Sequence, residues 1–487
     1  MTRMGTDDFF RARIDQMIDL SHPLAVLARR MPWDELEKTL APVFAHRNRQ
    51  GRVTQQAGLF GPSLEVAGAG VSNAGRPRLP IRLMVSLLYL KHAFNLSDEA
   101  LVERWSENVL WQYFSGRDYY EHRPPCDATQ IGRFRKALGE AGVEELLKTT
   151  IDAAVAMKAI RPAEFERVIV DSTVQPKAIA HPVDSRLLDI ARHQVVMAAK
   201  AVGIRLKQTF AREGRQLRRK AGGYAHARQF RRMHKVLRRQ RTVLGRLIRD
   251  VRRKLPGVGE ISEMLRQKLD TVLARADILH RQKSRGKNKL YAMHAPEVEC
   301  ISKGKAKQRY EFGVKTSIVC THRQGLIVGA RTFAGNPYDG HVLSAQLEQT
   351  GILLEDVSRR PREVIVDLGY RGVDTDNPDV KILHRGRSKS MTTCQRQWVR
   401  RRQAIEPLIG HLKADHRLDR CWLKGSEGDA LHAVLCAAGY NLRWLLRAVA
   451  RLGLGWFFAL CALLRGMLPA GGIRRQAGIG RPACGMN

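Results

Sequence analysis

Two short runs of the chain are apolar at consecutive positions, not at alternate ones. Val168-Ile169-Val170 leads into Asp171, and Val364-Ile365-Val366 leads into Asp367, so the text Val-Ile-Val-Asp occurs twice. A β-branched run without polar interruption predicts a strand covered on both faces, as in the middle of a sheet flanked by helices. As parallel neighbours, the two runs would bring both aspartates out at one sheet edge, where open α/β sheets carry their sites. Partial alternation over 311–320, a turn at 321–325 and a second run over 326–333 predict a hairpin. Residues 336–340 read as a turn before a helix from His341 to about Leu354, and 380–383 as a further short strand. The order is strand, insertion, hairpin, helix, strand, strand, helix. It predicts a mixed α/β sheet, of ribonuclease H type if the first run lies between the hairpin and the later strands.

Helical spacing dominates elsewhere. Residues 1–56 read as an N-terminal helical segment and 57–80, rich in Gly, Ala and Pro, as a flexible connector. Residues 81–158 are helical. Ser97 is placed to cap a helix from Asp98 to about Glu107. Asp127 with Gln130 has capping-box spacing for another to about Leu138, and 142–158 forms one more. Two helices around a tight turn at 95–97 suit a helix-turn-helix and make 81–158 a candidate DNA-binding domain, although most such pairs are packing units. Residues 159–185 and 291–420 read as the two parts of the ribonuclease H-type core that carries the sheet. Between them, 186–290 is a basic helical insertion. Residues 421–487 are helical, with a Gly/Arg-rich tail expected to be disordered after Ala470.

Charge changes the picture most. The 487 residues hold 84 Lys+Arg against 47 Asp+Glu, a net charge of +37. Such a chain calls for a polyanion, with nucleic acid ahead of an anionic membrane surface. From 201 to 290 there are 27 Lys+Arg against 6 Asp+Glu, in clusters that include Arg231-Arg232, Arg238-Arg239 and Arg252-Arg253. Leu and Ile recur between the clusters, which predicts a folded helical arm with a basic face. A solvated surface helix usually mixes signs instead. The first residues lack the apolar core of a signal peptide, and the apolar run 452–464 is too short to span a bilayer. Eight scattered cysteines without a Cys-x-x-Cys pair support neither a zinc site nor a disulfide framework. The expected setting is reducing and intracellular, without a membrane.

Asp171, Asp367 and Glu406 are the candidate chemistry. Phosphodiester chemistry near neutral pH is helped by two divalent ions about 3.5–4 Å apart, and Mg²⁺ takes oxygen ligands such as carboxylates. Each of the three has a plain alternative as a turn, cap or surface ion-pair residue. On a continuous helix Arg402, Glu406 and Lys413 share one stripe, with Ile405, Ile409 and Leu412 to one side. Pro407 either kinks that helix or begins it; a start there would take Arg402 off the stripe.

At these residues the sequence resembles a DDE transposase of bacterial insertion elements, in the IS5 group of the wider IS4-like superfamily. The matching text is Val-Asp171-Ser-Thr-Val-Gln, Gly335-Asn-Pro-Tyr-Asp-Gly-His341, Val-Asp367-Leu-Gly-Tyr-Arg-Gly372 and Ile405-Glu406-Pro-Leu-Ile-Gly-His-Leu-Lys413, continued by Gly428-Asp429-Ala and Gly439-Tyr-Asn-Leu-Arg443. It extends from about residue 75 to 445. The superfamily signature Tyr-x2-Arg-x3-Glu-x6-Lys is met by Arg402, Glu406 and Lys413, while Val399, beside Trp398, stands at the tyrosine position. That departure raises the question of whether Trp398 substitutes by stacking. The resemblance implies a ribonuclease H-like core, Mg²⁺ or Mn²⁺ held by Asp171, Asp367 and Glu406, and DNA contacts from Arg402 and Lys413. It also implies double-stranded DNA as partner, both terminal inverted repeats and target, and cut-and-paste movement by water attack followed by 3′-hydroxyl attack. A homodimer on paired ends and a place on the nucleoid of the bacterial cytoplasm follow from it. The basic arm, with Arg231, Arg232, Arg238, Arg239, Arg252 and Arg253, would hold DNA flanks through phosphates. The rival readings are a catalytically silent transposase-derived DNA-binding protein and a structure-selective nuclease with the same core.

Overall fold

The computed structural model describes residues 12–44, 56–58, 61–63, 79–283, 286, 288–302, 309–372 and 376–453. Most of the connector expected at 57–80, most of the apolar run 452–464 and the tail after Ala470 lie outside the described residues. Gln56–Gly58 pairs antiparallel with Gly61–Ser63.

Helices α1 (Pro23–Arg30) and α2 (Trp33–Leu40) precede α3 (Ile81–Ala93), α4 (Asp98–Glu107), α5 (Val109–Phe114) and α6 (Ala128–Ala156). The side chain of Ser97 accepts the Ala100 N–H at 3.1 Å, and Asp127 with Gln130 closes a capping box. Both satisfy N–H groups that a helix start leaves open. The two helices expected on either side of residue 140 are joined as α6, broken at Gly139, whose φ of 64° and ψ of −170° suit glycine. In α3 every residue but Arg82 is buried. The exposed positions of α4 are Glu99, Glu103, Arg104 and Glu107, acidic on balance and ill-suited to phosphate.

Strand β1 (Arg167–Pro176) is followed by four helices, α7 (Asp184–Ala201), α8 (Ala211–His226), α9 (Phe230–Lys254) and α10 (Glu263–Arg281). They pack around a core of their own that includes Leu188, Val195, Leu244, Leu247 and Leu273. In α9, Val236, Leu237, Val243, Leu244, Leu247, Ile248 and Val251 fall on one stripe and are buried, which turns most of the arginines outward.

The chain returns to the sheet as β2 (Glu299–Ser302), which its sequence did not signal, β3 (Tyr310–Thr321) and β4 (Ile327–Phe333). Then come α11 (Leu343–Leu353), β5 (Glu363–Ile365), β6 (Lys381–Leu383), α12 (Thr393–Arg401), α13 (Ile405–Asp415) and α14 (Gly425–Arg451). The strand order is β4–β3–β1–β5–β6, with β2 beside the first residues of β3. β1 runs antiparallel to β3 and parallel to β5, and β5 runs parallel to β6. The first Val-Ile-Val run thus lies between the hairpin and the later strands.

A continuous apolar core reaches from Leu24 through the sheet to Val449. α14 crosses it closely: a Cβ on Gly439 would stand 2.5 Å from the Cβ of His92 on α3. Asn441 fixes the same helix to β4, accepting the Ile327 N–H at 3.0 Å and donating to Ile327 O at 2.8 Å and Thr150 Oγ1 at 3.0 Å. At its start, buried Lys177 pairs with Asp429 at 2.7 Å and Glu297 at 2.8 Å. Buried charges of this kind persist when each has a partner.

Candidate active site

The repeated text is a repeated position in space. β1 and β5 pair Arg167 with Glu363, Val168 with Val364 and Ile169 with Ile365. All six side chains of the two Val-Ile-Val runs are at most 1% exposed, and each buried one contributes roughly 1.5–3 kcal/mol. One residue past each run stand Asp171 and Asp367. Asp171 is not at a strand end, however: β1 continues to Pro176 against β3. It is β5 that stops. Asp367 turns the chain by accepting the Gly369 N–H on Oδ1 at 2.8 Å, capping the short 3-10 turn Leu368–Tyr370. The departure of β5 opens the sheet beside Asp171.

Glu406 arrives from the other side. α12 is capped by Thr392 and Gln395, a 3-10 turn spans Arg402–Ala404, and α13 starts at Ile405 with Pro407 as its third residue. The restart does not displace Arg402. The backbone of Arg401, Arg402, Ala404 and Ile405 is right-handed helical, so helical spacing carries across the junction. Arg402 Nη2 lies 3.5 Å from Glu406 Oε1, and Nη1 lies 3.3 Å from Asp171 Oδ2. One guanidinium spans two carboxylates far apart in sequence.

The other signature positions are engaged within the chain. Lys413 Nζ lies 3.2 Å from Glu311 Oε2, a buried carboxylate on β3. Val399 is buried. Trp398 carries the Arg167 guanidinium on its ring, 3.2 Å from the centroid, and Arg167 also donates to Glu363 at 2.6 Å. A base stacking on that face of Trp398 would have to displace a paired arginine.

Three residues that the sequence reading passed over complete the surroundings. Lys315 on β3 donates to Asp339 Oδ1 at 2.9 Å and to Pro337 O. Tyr370 is 1% exposed. Burial, then Asp339, Asp171 and Asp367, hold its phenol well above the usual tyrosine range. Asp339 and Tyr370 both stand in segments that carry the family resemblance, which was the available signal; nothing local marks them as site residues.

Comparison with known proteins gives two family matches and a curated relative. A family described as "Transposase domain (DUF772)" matches residues 61–137, and one described as "Transposase DDE domain" matches residues 280–442. The second span contains Asp367, Glu406 and Asp339. A curated protein of Rhizobium meliloti, "Uncharacterized protein ORF8 in nfe locus", is 41% identical over 226 residues, 46% of this chain and 96% of the relative. The chain belongs to the DDE transposases. No solved structure matches it.

The transposase also carries an arginine-rich cleft, none of whose lining residues is one of the three carboxylates. A cleft of about 1120 Å³ is lined by Arg161, Arg167, Arg323, Arg400 and Arg401 together with Trp398 and Glu164. Arg167 lies on β1 four residues before Asp171, and Arg401 directly precedes Arg402. On the helical insertion the six arginines singled out divide into two groups. Arg231, Arg232 and Arg238 are exposed and make no ion pair among the described residues. Arg239 forks onto Glu213 at 2.6 and 3.1 Å, while Arg252 pairs with Asp277 and Arg253 with Asp250. Arg239 and Arg252 thereby join α9 to α8 and α10, whereas the Arg253 pair lies within α9. Among the described residues of the transposase no helix is long and apolar enough to cross a membrane.

A second group of ligand-type side chains lies away from the carboxylates. His92, His432 and Cys436 meet in the core, with His92 Nδ1 3.6 Å from Cys436 Sγ and His432 Nε2 2.8 Å from Arg417 O. Cysteine spacing could not have revealed this cluster. Burial lowers the His432 pKa to about 3 and that of His92 well below the imidazole range, with Lys91, Arg135 and Arg417 adding to both effects. Cationic surroundings disfavour a bound cation, so these side chains are read as neutral packing groups between α3 and α14.

Proposed function

We propose that this is a transposase of the IS5 group that cuts DNA at terminal inverted repeats and joins the freed 3′-hydroxyl ends to target DNA. The observation that carries the reading is convergence. The parallel pairing of the two Val-Ile-Val runs, each followed by its aspartate, and the Arg402 guanidinium between Asp171 and Glu406 support it. The strand order, antiparallel through β4–β3–β1 and parallel through β1–β5–β6, supports a ribonuclease H-like core.

The donor set fits Mg²⁺ or Mn²⁺. It is made of carboxylates, without thiolate or imidazole, and oxygen donors suit hard cations. Asp171, Asp367 and Glu406 are the residues that would hold the ions, which supply Lewis-acid activation and charge neutralisation at the phosphate. Arg402 is a positioning residue, orienting two of the three carboxylates and presenting positive charge where a phosphate would enter. The arginine-lined cleft and the exposed arginines of the insertion hold the DNA backbone, which fixes register without reading sequence. Paired element ends call for a homodimer.

The test is Asp171→Ala with a terminal-repeat duplex in Mg²⁺. Cleavage is expected to vanish while DNA affinity stays within about threefold, since contacts to the phosphate backbone dominate binding. Cleavage at the wild-type rate would overturn the assignment.

A further inference from the structure

Gly369 lies between two carboxylates from separate parts of the chain. A Cβ placed on it would stand 3.0 Å from Asp367 Oδ1 and 3.1 Å from Asp339 Oδ2. Both oxygens therefore border the same small space, one that a side chain at 369 would invade. Asp339 is fixed in this pose through its other oxygen, Oδ1, which accepts from Lys315 Nζ at 2.9 Å. Lys315 extends from β3 with its side chain only 11% exposed. The sheet thus holds one oxygen of Asp339, and the second faces Asp367. Carboxylates that border one space repel unless a cation or proton lies between them.

A second observation points to a ligand at the same place. Tyr370 is almost fully buried, and its hydroxyl is without a hydrogen-bond partner. Buried hydroxyls in native proteins nearly always find one. The carboxylates that act on this hydroxyl are Asp339, Asp171 and Asp367, with the equally unpartnered Ser317 hydroxyl close by. A buried O–H under the influence of three carboxylates, yet bonded to none of them, is suited to a water or phosphate oxygen held at the site.

We propose that Asp339 is a fourth carboxylate of the metal site. Its Oδ2 serves, directly or through one water, the divalent cation held at Asp367. Gly369 keeps the space open, and Tyr370 donates to an oxygen bound there. This rests on the reading of Asp367 as a metal ligand. It assigns a role to the Gly335–His341 segment, in which Asp339 is the carboxylate.

The test uses the full chain without DNA and Mn²⁺ alone as the probe, with free Mn²⁺ read by electron paramagnetic resonance. Asp339→Asn removes the charge. Gly369→Ala leaves every carboxylate in place but fills the space, and its backbone needs no left-handed φ. Each is expected to weaken one Mn²⁺ site at least tenfold and to reduce the thermal stabilisation that Mn²⁺ gives. Lys315→Met, which releases Asp339 Oδ1 but leaves its charge, should weaken that site clearly less than Asp339→Asn does. If Asp339→Asn and Gly369→Ala bind Mn²⁺ like wild type while Asp367→Asn loses a site, the fourth-carboxylate assignment is wrong and the triad stands. If Asp367→Asn also binds normally, the triad reading itself fails. Equal weakening by Asp339→Asn and Lys315→Met, with Gly369→Ala unaffected, would reduce Asp339 to a partner of Lys315 and overturn the proposal.

Discussion

Ile169 stands opposite Ile365 in the parallel ladder between β1 and β5. Two residues further along come Asp171, still within β1, and Asp367, at the turn just past the end of β5, so the pairing of the buried runs sets where the chain carries each carboxylate. One alanine inserted between Val366 and Asp367 would shift Asp367 without touching the buried pairs. Cleavage of a terminal-repeat duplex should fall by about 100-fold or more, because a misplacement near 1 Å costs about that much. DNA affinity should be retained. A gel-based cleavage assay beside a binding titration checks both.

Arg402 connects Asp171 and Glu406 through a forked side chain. Arg402→Ala should lower the cleavage rate by roughly 100-fold, the scale for losing one preorganised donor at a site of developing charge. Arg402→Lys should recover only part of this, since an ammonium cannot span two carboxylates as a planar fork does. Single-turnover rates at saturating Mg²⁺ would show the order wild type, Lys, Ala. Equal rates for Lys and wild type would remove the fork from the argument.

The arginines of the helical bundle should separate by partner. Arg231→Ala and Arg238→Ala should each reduce the slope of log affinity against log salt by about 0.9, the value for one phosphate contact on duplex DNA. Arg239→Ala breaks the fork onto Glu213 and should act mainly on the melting temperature. Binding titrations across salt concentrations, with thermal melts of the same variants, distinguish the two effects.

Acid should destabilise the fold through buried histidines. Burial lowers His432 to about 3, His416 to about 4 and His92 well below the imidazole range. Each is neutral when folded but takes a proton when unfolded below about pH 6.5. Their stabilisation is complete above that pH and is lost as pH falls. Asp152, raised by burial to about 7, works in the opposite direction between about pH 4 and 7. Three histidines at about 1.4 kcal/mol per pH unit each, less one such unit, leave a net loss of roughly 3 kcal/mol from pH 6 to 5. Urea melts at the two pH values measure it, and His432→Gln should remove about 1.4 kcal/mol of the difference.

Local chemistry explains what could be read from the chain beforehand. The two Val-Ile-Val runs announced buried strands because β-branched residues without polar interruption suit little else. Ser97 and Asp127 marked helix starts because a cap acts over three residues. Relationships across long separations were not legible. Nothing near Arg239 names Glu213, and nothing near Asn441 names the backbone of Ile327. Asp339 reads locally as a turn residue, since the lysine that orients it lies 24 positions away on another strand. The restart of α13 at Ile405 was half legible. Pro407 signalled an interruption, but the intervening 3-10 turn that preserves the Arg402–Glu406 spacing depends on packing of Ile405 and Leu408 into the core.

The close crossing at Gly439 has a practical outcome for anyone dividing this polypeptide. With the backbones of α3 and α14 in near contact, the N-terminal helices serve as the lid on the catalytic half. Cutting them away would strip cover from Val434, Ala437, Ala438 and Leu442, all at most 1% exposed, and leave a greasy, aggregation-prone flank. The four-helix insertion, whose interior is separate, is the better place to shorten the gene product, because joining its entry and exit would leave that lid closed.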